Sequence, residues 1–567
     1  MSKSVSKEKE QKATVKQPAG KFDLIAKFKD LSQEDKIGLG ILLVLVFITV
    51  SIRSKFSGIA FERDEGAYSY YGKLLLEGKI PYKDFYEQKF PGMFYFFAFI
   101  VKFFGDTVEG MHKGFMYVNI LTMIFIYFTS RNIFSAFAGV VSAATFVFVS
   151  MTPTLSGYTV QGEHAVIFFG ALGFLFYSIA RKDGDWKYYL LMGLSLGAAF
   201  MVKTSGIFYV AAGGIIVITD FFFTKGKKDF KQLFKTAFIY GGGAAAVVAF
   251  MFLLIYMKGA FNDMLFWTFE IPKNYVGKVK WEQGKQYLDY TYQAITNDYH
   301  LFWRHSFLAL VVCLFAKAVD MKTKAFAFIL IAFSVGTIFP GFYFYGHYWI
   351  QILPGLSILA GLTYFSIISI LKERFNVKSP NLKYAYLGLF AVLIFFHSDK
   401  LKNYYFHPNY EQIERAVYGN NPFPEAMEIG NYINRVAKPE DQIVVMGSEP
   451  EIYFYTKKHC PSRHAYFAAI VDNVPQHKVW QREFVADVEK AKPKYFIFFN
   501  HQISLFVQPN TDQYVFQWAN KFIQENYKLC GLVDMIDGQR STYIFDESAQ
   551  HYQPKSQTYI MIFERKT

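Results

Sequence analysis

Arg63-Asp64-Glu65-Gly66-Ala67-Tyr68 follows the first long apolar block of the chain, Ile37 to Ile52. Apolar residues recur along the sequence in blocks close to the length of a membrane-spanning helix, about 17–25 residues. Two adjacent carboxylates therefore stand at the mouth of a membrane span. Because ionised groups are costly beside hydrocarbon, an acidic pair at this depth predicts a functional site.

The composition, 52% hydrophobic and 20% aromatic, excludes an ordinary soluble protein of several domains. The apolar blocks instead predict a polytopic α-helical membrane protein with about eleven spanning helices. We place these spans at Ile37–Ile52, Gly110–Thr129, Phe134–Met151, Ala165–Ala180, Tyr188–Val202, Ser205–Phe222, Ala237–Tyr256, Ser306–Leu314, Ala325–Phe339, Tyr348–Leu371 and Tyr384–Phe396.

The distribution of basic residues predicts the topology. Met93–Phe104 is too short to span, and we interpret it as a helix lying along the membrane surface. With that choice, the loops on one side are rich in Lys and Arg, whereas the short opposite loops Thr152–Glu163 and Gly341–Gly346 hold none. The basic residues of those loops are Arg131; Arg181, Lys182 and Lys187; Lys225, Lys227, Lys228, Lys231 and Lys235; Lys317, Lys322 and Lys324; and Lys372, Arg374, Lys378 and Lys383. By the positive-inside rule, residues 1–36, which are Lys-rich, are cytoplasmic, and segments 54–109 and 257–304 are external loops. The first span reads as a retained helix without a cleavage site.

The net charge of +14 comes from residues at the ends of apolar blocks. This placement favours contact with the lipid bilayer and argues against a nucleic-acid partner. Residues 397–567 are more polar and predict an extracytoplasmic α/β domain. We expect strands at Gln442–Gly447, Lys494–Phe499 and Tyr559–Phe563, and helices at Pro424–Val436 and Val479–Lys490. A disulfide between Cys460 and Cys530 is an open possibility.

Several polar residues on the predicted external side are candidates for chemistry. The first external loop carries Arg63, Asp64, Glu65, Tyr68, Tyr82 and Lys89; later segments add Glu163, Lys203, His347 and Tyr348. A carboxylate can accept a proton from a hydroxyl, and a lysine can hold a phosphate. Structural readings stay open beside these: a solvated loop, a helix-dipole partner for Glu163, a snorkelling Lys203 and an aromatic belt around Tyr348.

No metal or cofactor motif is present. A divalent metal held by Glu163, His164 and His347 is conceivable, but their spacing matches no known signature. Walker loops, nucleophile elbows and zinc-protease motifs are also absent from the sequence.

The ordered motifs resemble those of GT-C glycosyltransferases, in the branch of protein O-mannosyltransferases and aminoarabinose transferases. Asp64-Glu65 is similar to the acidic motif of their first loop, and the run from Gly78 to Gly92 resembles that loop's Lys-Pro segment. Glu163, Lys203 and His347-Tyr348 with Pro354 match later motifs of the branch, and Gly447–Tyr453 resembles the C-terminal domain of bacterial members. This chain has Gln88 before Lys89, so no acid or metal role passes to Glu87.

The resemblance implies a polyprenyl-phosphate sugar donor, an acceptor in the cell envelope (lipid, glycan or protein) and a bacterial plasma-membrane location. It implies Asp64 as general base in an inverting transfer, with Glu65 and Glu163 positioning the acceptor or the base. Lys89, Lys203, Arg63 and His347 would then bind the donor phosphate, and Tyr68, Tyr82 and Tyr348 would position substrate.

Two other functions remain open at this stage. A transporter or flippase of a lipid-linked or small solute also suits many spans, although transporters place charges near the bilayer midplane. A non-catalytic membrane scaffold would leave the acidic pair unexplained. The sequence specifies neither the sugar, the acceptor, metal dependence nor the oligomeric state.

Overall fold

The computed structural model describes residues 31–224, 226–472, 474–536 and 540–566, except the side chains at 274, 275, 298 and 299. The lysines of the N-terminal stretch Lys3–Lys16 lie outside the described residues.

The first two-thirds of the described chain is helical. Its helices are α1 (Gln33–Arg53), α2 (Arg63–Leu76), α3 (Pro91–Phe104), α4 (Val108–Ile133), α5 (Ala136–Ser150), α6 (Gly162–Asp183), α7 (Trp186–Val202), α8 (Ile207–Phe223), α9 (Phe230–Met257), α10 (Phe261–Leu265), α11 (Ile271–Val276), α12 (Trp281–Phe315), α13 (Met321–Gly336), α14 (Leu353–Glu373) and α15 (Leu382–Lys400). Short 3₁₀ turns at Thr204–Gly206, Pro340–Phe342 and Gly346–Ile352 connect some of them, and a π-helical turn, Phe266–Glu270, joins α10 to α11.

Each predicted span coincides largely with a helix, but only some of these helices meet a strict criterion for crossing a membrane. Among the described residues, five helices are long and apolar enough, or six if the bent pair α3–α4 is one span. The five are Gln33–Phe56, Gly162–Asp183, Thr204–Phe223, Phe230–Met257 and Gly346–Glu373. The number of about eleven spans therefore stays a prediction.

Two predicted external segments, the surface helix Met93–Phe104 and the loop 257–304, have more regular structure than their sequences indicate. Helix α3 meets α4 at 110°. Gly105 ends α3 with a φ of 98°, and the Thr107 side chain caps α4 by accepting the Gly110 N–H at 3.0 Å. Segment 257–304 is mainly helical, because α10, α11 and the first half of α12 occupy it.

The C-terminal region combines a five-stranded sheet with short helices. The strands are β1 (Ile443–Met446), β2 (Tyr495–Asn500), β3 (Tyr527–Met535), β4 (Ser541–Phe545) and β5 (Tyr559–Arg565), in the order β1-β2-β5-β3-β4. Strands β1 and β2 are parallel, and the other pairs are antiparallel. The helices are α16 (Lys402–Phe406), α17 (Tyr410–Tyr418), α18 (Phe423–Val436), α19 (Glu451–Thr456), α20 (Ala468–Val471), α21 (His477–Ala491), α22 (Gln502–Leu505), α23 (Tyr514–Asn526) and α24 (Glu547–His551).

The three predicted strands and two predicted helices of this region are confirmed, but β3 and β4 were not predicted. Strand β3 follows α23 directly, is interrupted by a bulge between Leu529 and Gly531, and is buried along most of its length, so it lacks an alternating pattern. Cys313, Cys460 and Cys530 are all free thiols, so Cys460 and Cys530 do not pair.

The C-terminal domain packs directly on α2. A Cβ atom on Gly66 would lie 2.2 Å from the Cβ of Glu451, so only glycine permits this approach of α2 to α19. Beside it, the rings of Tyr70 and Tyr453 stack with centroids 5.3 Å apart. The domain also contacts the π-helical turn Phe266–Glu270, where Trp267 stacks on Trp480 of α21 at 4.8 Å. The helix that carries the acidic motif is therefore held by the C-terminal domain.

Candidate active site

The acidic motif forms the first turn of α2. Glu62 caps the helix by accepting the Glu65 N–H at 3.1 Å, and it also accepts a hydrogen bond from Gln161 Nε2 at 2.7 Å. Burial and the neighbouring charge of Asp64 raise the pKa of Glu62 to about 7. These contacts tie the start of α2 to the segment before α6, and negative groups here complement the helix dipole.

Asp64 and Tyr68 lie one helical turn apart on the same side of α2. The Tyr68 hydroxyl donates to Asp64 Oδ2 at 3.2 Å, and the Lys89 ammonium stands 5.8 Å from the centre of the Tyr68 ring. Tyr68 itself is 2% exposed, whereas Asp64 is half-buried. A carboxylate and an ammonium group thus lie on two sides of one buried phenol, and the carboxylate is accessible.

Lys89 is held in place from two directions. Its ammonium lies 3.9 Å from Glu87 Oε1, and its carbonyl oxygen accepts a hydrogen bond from the Tyr82 hydroxyl at 2.7 Å. Burial lowers the pKa of Lys89, but the carboxylates of Glu87, Asp64 and Glu163 outweigh it, so the net shift is upward. Lys89 is therefore a fixed cation, and the fully buried Tyr82 contacts the Lys89 backbone.

A second charged group forms where α6, α7 and the Gly346–Ile352 turn meet. Glu163, in the first turn of α6, forms an ion pair with Lys203, the residue that ends α7. His347 Nε2 lies 4.0 Å from the same carboxylate oxygen, and the Lys203 ammonium stands 4.3 Å from the centre of the Tyr348 ring. The structure thus brings together four predicted site residues from three separate segments.

The two charged groups are within electrostatic reach of each other, since the carboxylate of Glu163 contributes to the raised pKa of Lys89. We call this set the acid–lysine cluster: Asp64, Tyr68, Lys89, Glu163, Lys203 and His347.

Glu65 does not share the environment of Asp64. Its side chain is 0% exposed, and its Oε1 accepts the Val160 N–H at 2.9 Å. Burial and the nearby Glu62 hold the pKa of Glu65 well above its usual value. The geometry gives Glu65 a role in fixing the Pro153–Gln161 segment against α2, away from the accessible side of the site.

Arg63 faces the C-terminal domain, although the sequence predicts a phosphate contact for it. Its guanidinium lies 3.4 Å from Glu449 Oε1 and donates to Asn421 Oδ1 at 3.0 Å. The same group stands over the rings of Phe423 and Phe506, at 5.2 and 4.8 Å from their centres. Arg63 therefore joins α2 to the C-terminal domain.

Three buried carboxyl groups of the C-terminal domain were missed by the sequence analysis. Glu414 accepts the Ala60 N–H at 2.7 Å; Glu449 and Glu451 are fully buried at the α2 interface. Burial raises the pKa of Glu414 and of Glu449 to about 7, and burial together with the charge of Glu449 holds the pKa of Glu451 well above its usual value. For Glu449 and Glu451, the available signal was a pair of acidic residues directly after the apolar strand segment Ile443–Met446.

Metal binding finds no geometric support. Within the part of the chain that the structure describes, no three His, Cys, Asp or Glu side chains lie close enough together to hold a metal ion. The conceivable site of Glu163, His164 and His347 is therefore not assembled as a ligand set among the described residues.

One segment of the chain matches a known protein family. Residues 88–256 match the family of dolichyl-phosphate-mannose-protein mannosyltransferases. No curated protein matches the chain in sequence.

Solved structures match over almost the whole length. ArnT from Cupriavidus metallidurans, bound to undecaprenyl phosphate, aligns with a TM-score of 0.55 and 13% identity, over 93% of this chain and 97% of that one. The archaeal oligosaccharyltransferase AglB from Archaeoglobus fulgidus, in complex with an inhibitory peptide and a dolichol-phosphate, aligns with a TM-score of 0.50 and 11% identity, over 93% and 76%. The resemblance predicted from the motifs is therefore confirmed: the chain has the GT-C glycosyltransferase fold, and several of its helices are long and apolar enough to cross a membrane.

Proposed function

We propose that this protein transfers a sugar from a polyprenyl-phosphate donor to an acceptor on the extracytoplasmic side of a bacterial plasma membrane. The observation that carries the proposal is the pairing of an accessible carboxylate, Asp64, with fixed ammonium groups in one cluster. Such a donor keeps its tail in the bilayer and its sugar at the interface. In this topology the N-terminus is cytoplasmic, about eleven helices span, and the C-terminal domain is extracytoplasmic.

Asp64 acts as the general base in the proposed reaction. It removes the proton from an acceptor hydroxyl, and the resulting oxygen attacks the anomeric carbon of the donor. The bond between that carbon and the phosphate oxygen breaks, and the phosphate leaves with the polyprenyl chain. A single displacement with the base and the leaving group on opposite faces of the sugar inverts the anomeric centre.

Lys89 and Lys203 stabilise the negative charge that develops on the leaving phosphate. Lys89 is pre-positioned by Tyr82 and Glu87, and Lys203 by Glu163, which also lies near His347. We assign His347 to the phosphate and Tyr348 to the support of Lys203. Glu163 is then a positioning residue that orients Lys203 through their ion pair.

The fold comparisons support a lipid-phosphate donor, because ArnT is seen with undecaprenyl phosphate and AglB with a dolichol-phosphate. The mannosyltransferase family match over residues 88–256 covers Lys89 and Lys203, two of the predicted phosphate-binding residues, and Glu163, which positions Lys203.

The test is a reconstituted assay that separates transfer from transport. The full chain is placed in liposomes with a radiolabelled undecaprenyl-phosphate sugar and envelope extract from cells that lack the protein. We expect label to move from the lipid to an envelope product, and free undecaprenyl phosphate to accumulate in equal amount. Donor that changes leaflet without losing its sugar would instead establish a flippase and overturn the proposal.

A further inference from the structure

The segment between Pro340 and Tyr348 has an unusual backbone. Gly341, Phe342 and Phe344 all have positive φ angles, of 79°, 58° and 48°. Glycine adopts this conformation readily, but bulky residues rarely do, so it costs on the order of 1–3 kcal/mol at each of the two phenylalanines. The surrounding structure must therefore hold the segment in this shape.

Two phenylalanines anchor the segment, Phe342 partly buried and Phe344 fully buried. Phe342 packs edge-on against Trp281 at 5.3 Å, and Gly284 of α12 leaves room for it, since a Cβ there would lie 2.7 Å from the Phe342 Cβ. Phe344 is fully buried and packs against Phe339 at 5.3 Å. The strained backbone thus turns alternate side chains inward.

The other alternate residues form a stack of parallel rings. Tyr343 and Tyr345 have centroids 5.5 Å apart and planes at 22°, and Tyr345 and His347 have centroids 5.8 Å apart and planes at 17°. Tyr345 remains 48% exposed. We call these three residues the aromatic ladder.

The aromatic ladder ends at the acid–lysine cluster. His347, its last ring, lies 4.0 Å from Glu163. Burial and the negative charge of Asp64 raise the pKa of the Tyr345 phenol, which places Tyr345 within electrostatic reach of the proposed base. A ligand bound on the exposed part of the ladder would therefore lie beside the acid–lysine cluster.

We propose that the two tyrosines of the aromatic ladder, Tyr343 and Tyr345, form the acceptor subsite and bind an oligosaccharide, whereas His347 remains with the donor phosphate. A pyranose ring has an apolar face of C–H groups and a rim of hydroxyls, which matches a flat ring that carries its own hydroxyl. A lipid tail would not use the phenol groups, which can exchange hydrogen bonds with the hydroxyls of a sugar. This inference rests on the proposed function and names its acceptor class.

The experiment uses two probe fractions prepared from envelopes of cells that lack the protein. One contains oligosaccharides released by mild acid, and the other contains tryptic peptides of envelope proteins. Direct binding to the full chain in nanodiscs is measured by saturation-transfer NMR, which needs no turnover. Transfer from an undecaprenyl-phosphate sugar to each fraction is measured separately, so that a failure of catalysis and a failure of acceptor recognition are distinguished.

Variants of the ladder give the decisive result. We expect Tyr345→Ala to raise the apparent KM for the oligosaccharide fraction about tenfold, the effect of one lost aromatic contact, while the donor KM is unchanged. Tyr345→Phe keeps the ring face and should stay near the wild type. Tyr290→Ala, at an exposed tyrosine of α12, is the matched control. Binding or transfer confined to the peptide fraction, or a rise in donor KM alone, would overturn the inference.

Discussion

The two sides of α2 are built from neighbouring residues but have opposite environments. Asp64 and Tyr68 face the accessible cluster with Lys89, whereas Arg63, Gly66 and Tyr70 are covered by the C-terminal domain. Residues one turn apart on a helix share a face, so this division follows from the helical period. The comparison teaches that the proposed chemistry is positioned by an interface on the reverse side of the same helix.

After substitution of Asp64, the largest fall in activity is expected when Lys89 is replaced, on the accessible side of α2. Lys89→Met removes a fixed cation from the leaving phosphate and should lower kcat by about 10²–10³. Lys83→Met, at an exposed lysine six residues earlier, is the control and should leave kcat unchanged. Equal behaviour of the two variants in the transfer assay would show that Lys89 has no part in charge stabilisation.

Substitutions on the side of α2 that the C-terminal domain covers should lower the stability of the protein. Gly66→Ala forces a Cβ against Glu451, and we expect it to lower the stability of the docked state by about 1–3 kcal/mol. Gly40→Ala is matched, because its Cβ would meet open space within a helix. Thermal unfolding of both variants in nanodiscs measures the difference, and a Gly66→Ala protein as stable as Gly40→Ala would disprove close packing of α2 on α19.

The same interface should weaken as pH rises. Glu414 and Glu449 have folded pKa values raised to about 7, above the ordinary 4.5. Their contribution is therefore complete below about pH 4.5 and is lost as pH rises through 7, by about 1 kcal/mol for each group between pH 6 and 8.

Hydrogen exchange of residues 60–70 measures this loss, because the segment is covered by the domain. We expect faster exchange at pH 8 than at pH 6, after correction for intrinsic rates. Glu414→Gln removes one titrating group and should reduce the pH dependence. A pH-independent protection pattern in the wild type would contradict burial of these carboxyl groups.

The smallest fall in activity is expected for Tyr82, which contacts only the backbone of Lys89. Tyr82→Phe removes the hydrogen bond to the Lys89 carbonyl oxygen, whose net worth is about 0.5–1.5 kcal/mol. The expected result is a several-fold fall in kcat with the donor KM little changed. Adding Tyr82→Phe to Lys89→Met should then cost nothing more, and additive losses would place Tyr82 in another role.

Much of this arrangement can be predicted from the sequence, because apolar block length and charge act locally. The helix positions and the strands β1, β2 and β5 follow from such patterns. The candidate residues Asp64, Lys89, Glu163, Lys203 and His347 were selected from loop chemistry, and the structure brings them together.

The division between Asp64 and Glu65 could not be predicted in the same way. It depends on Val160 contacting one carboxylate and on Arg63 meeting Glu449, which lies 386 residues later in the chain. No local pattern specifies partners at that separation. Likewise, β3 was missed because its burial on both faces removes the alternation that marks a strand.

The central claim is that Asp64, and not its neighbour Glu65, accepts the proton during sugar transfer. Single-turnover transfer from a radiolabelled undecaprenyl-phosphate sugar, measured with donor binding on the same samples, tests it most directly. We expect Asp64→Asn to slow transfer by about 10²–10⁴ with donor affinity retained, and Glu65→Gln to retain most of the rate. Unchanged transfer in Asp64→Asn would contradict the assignment.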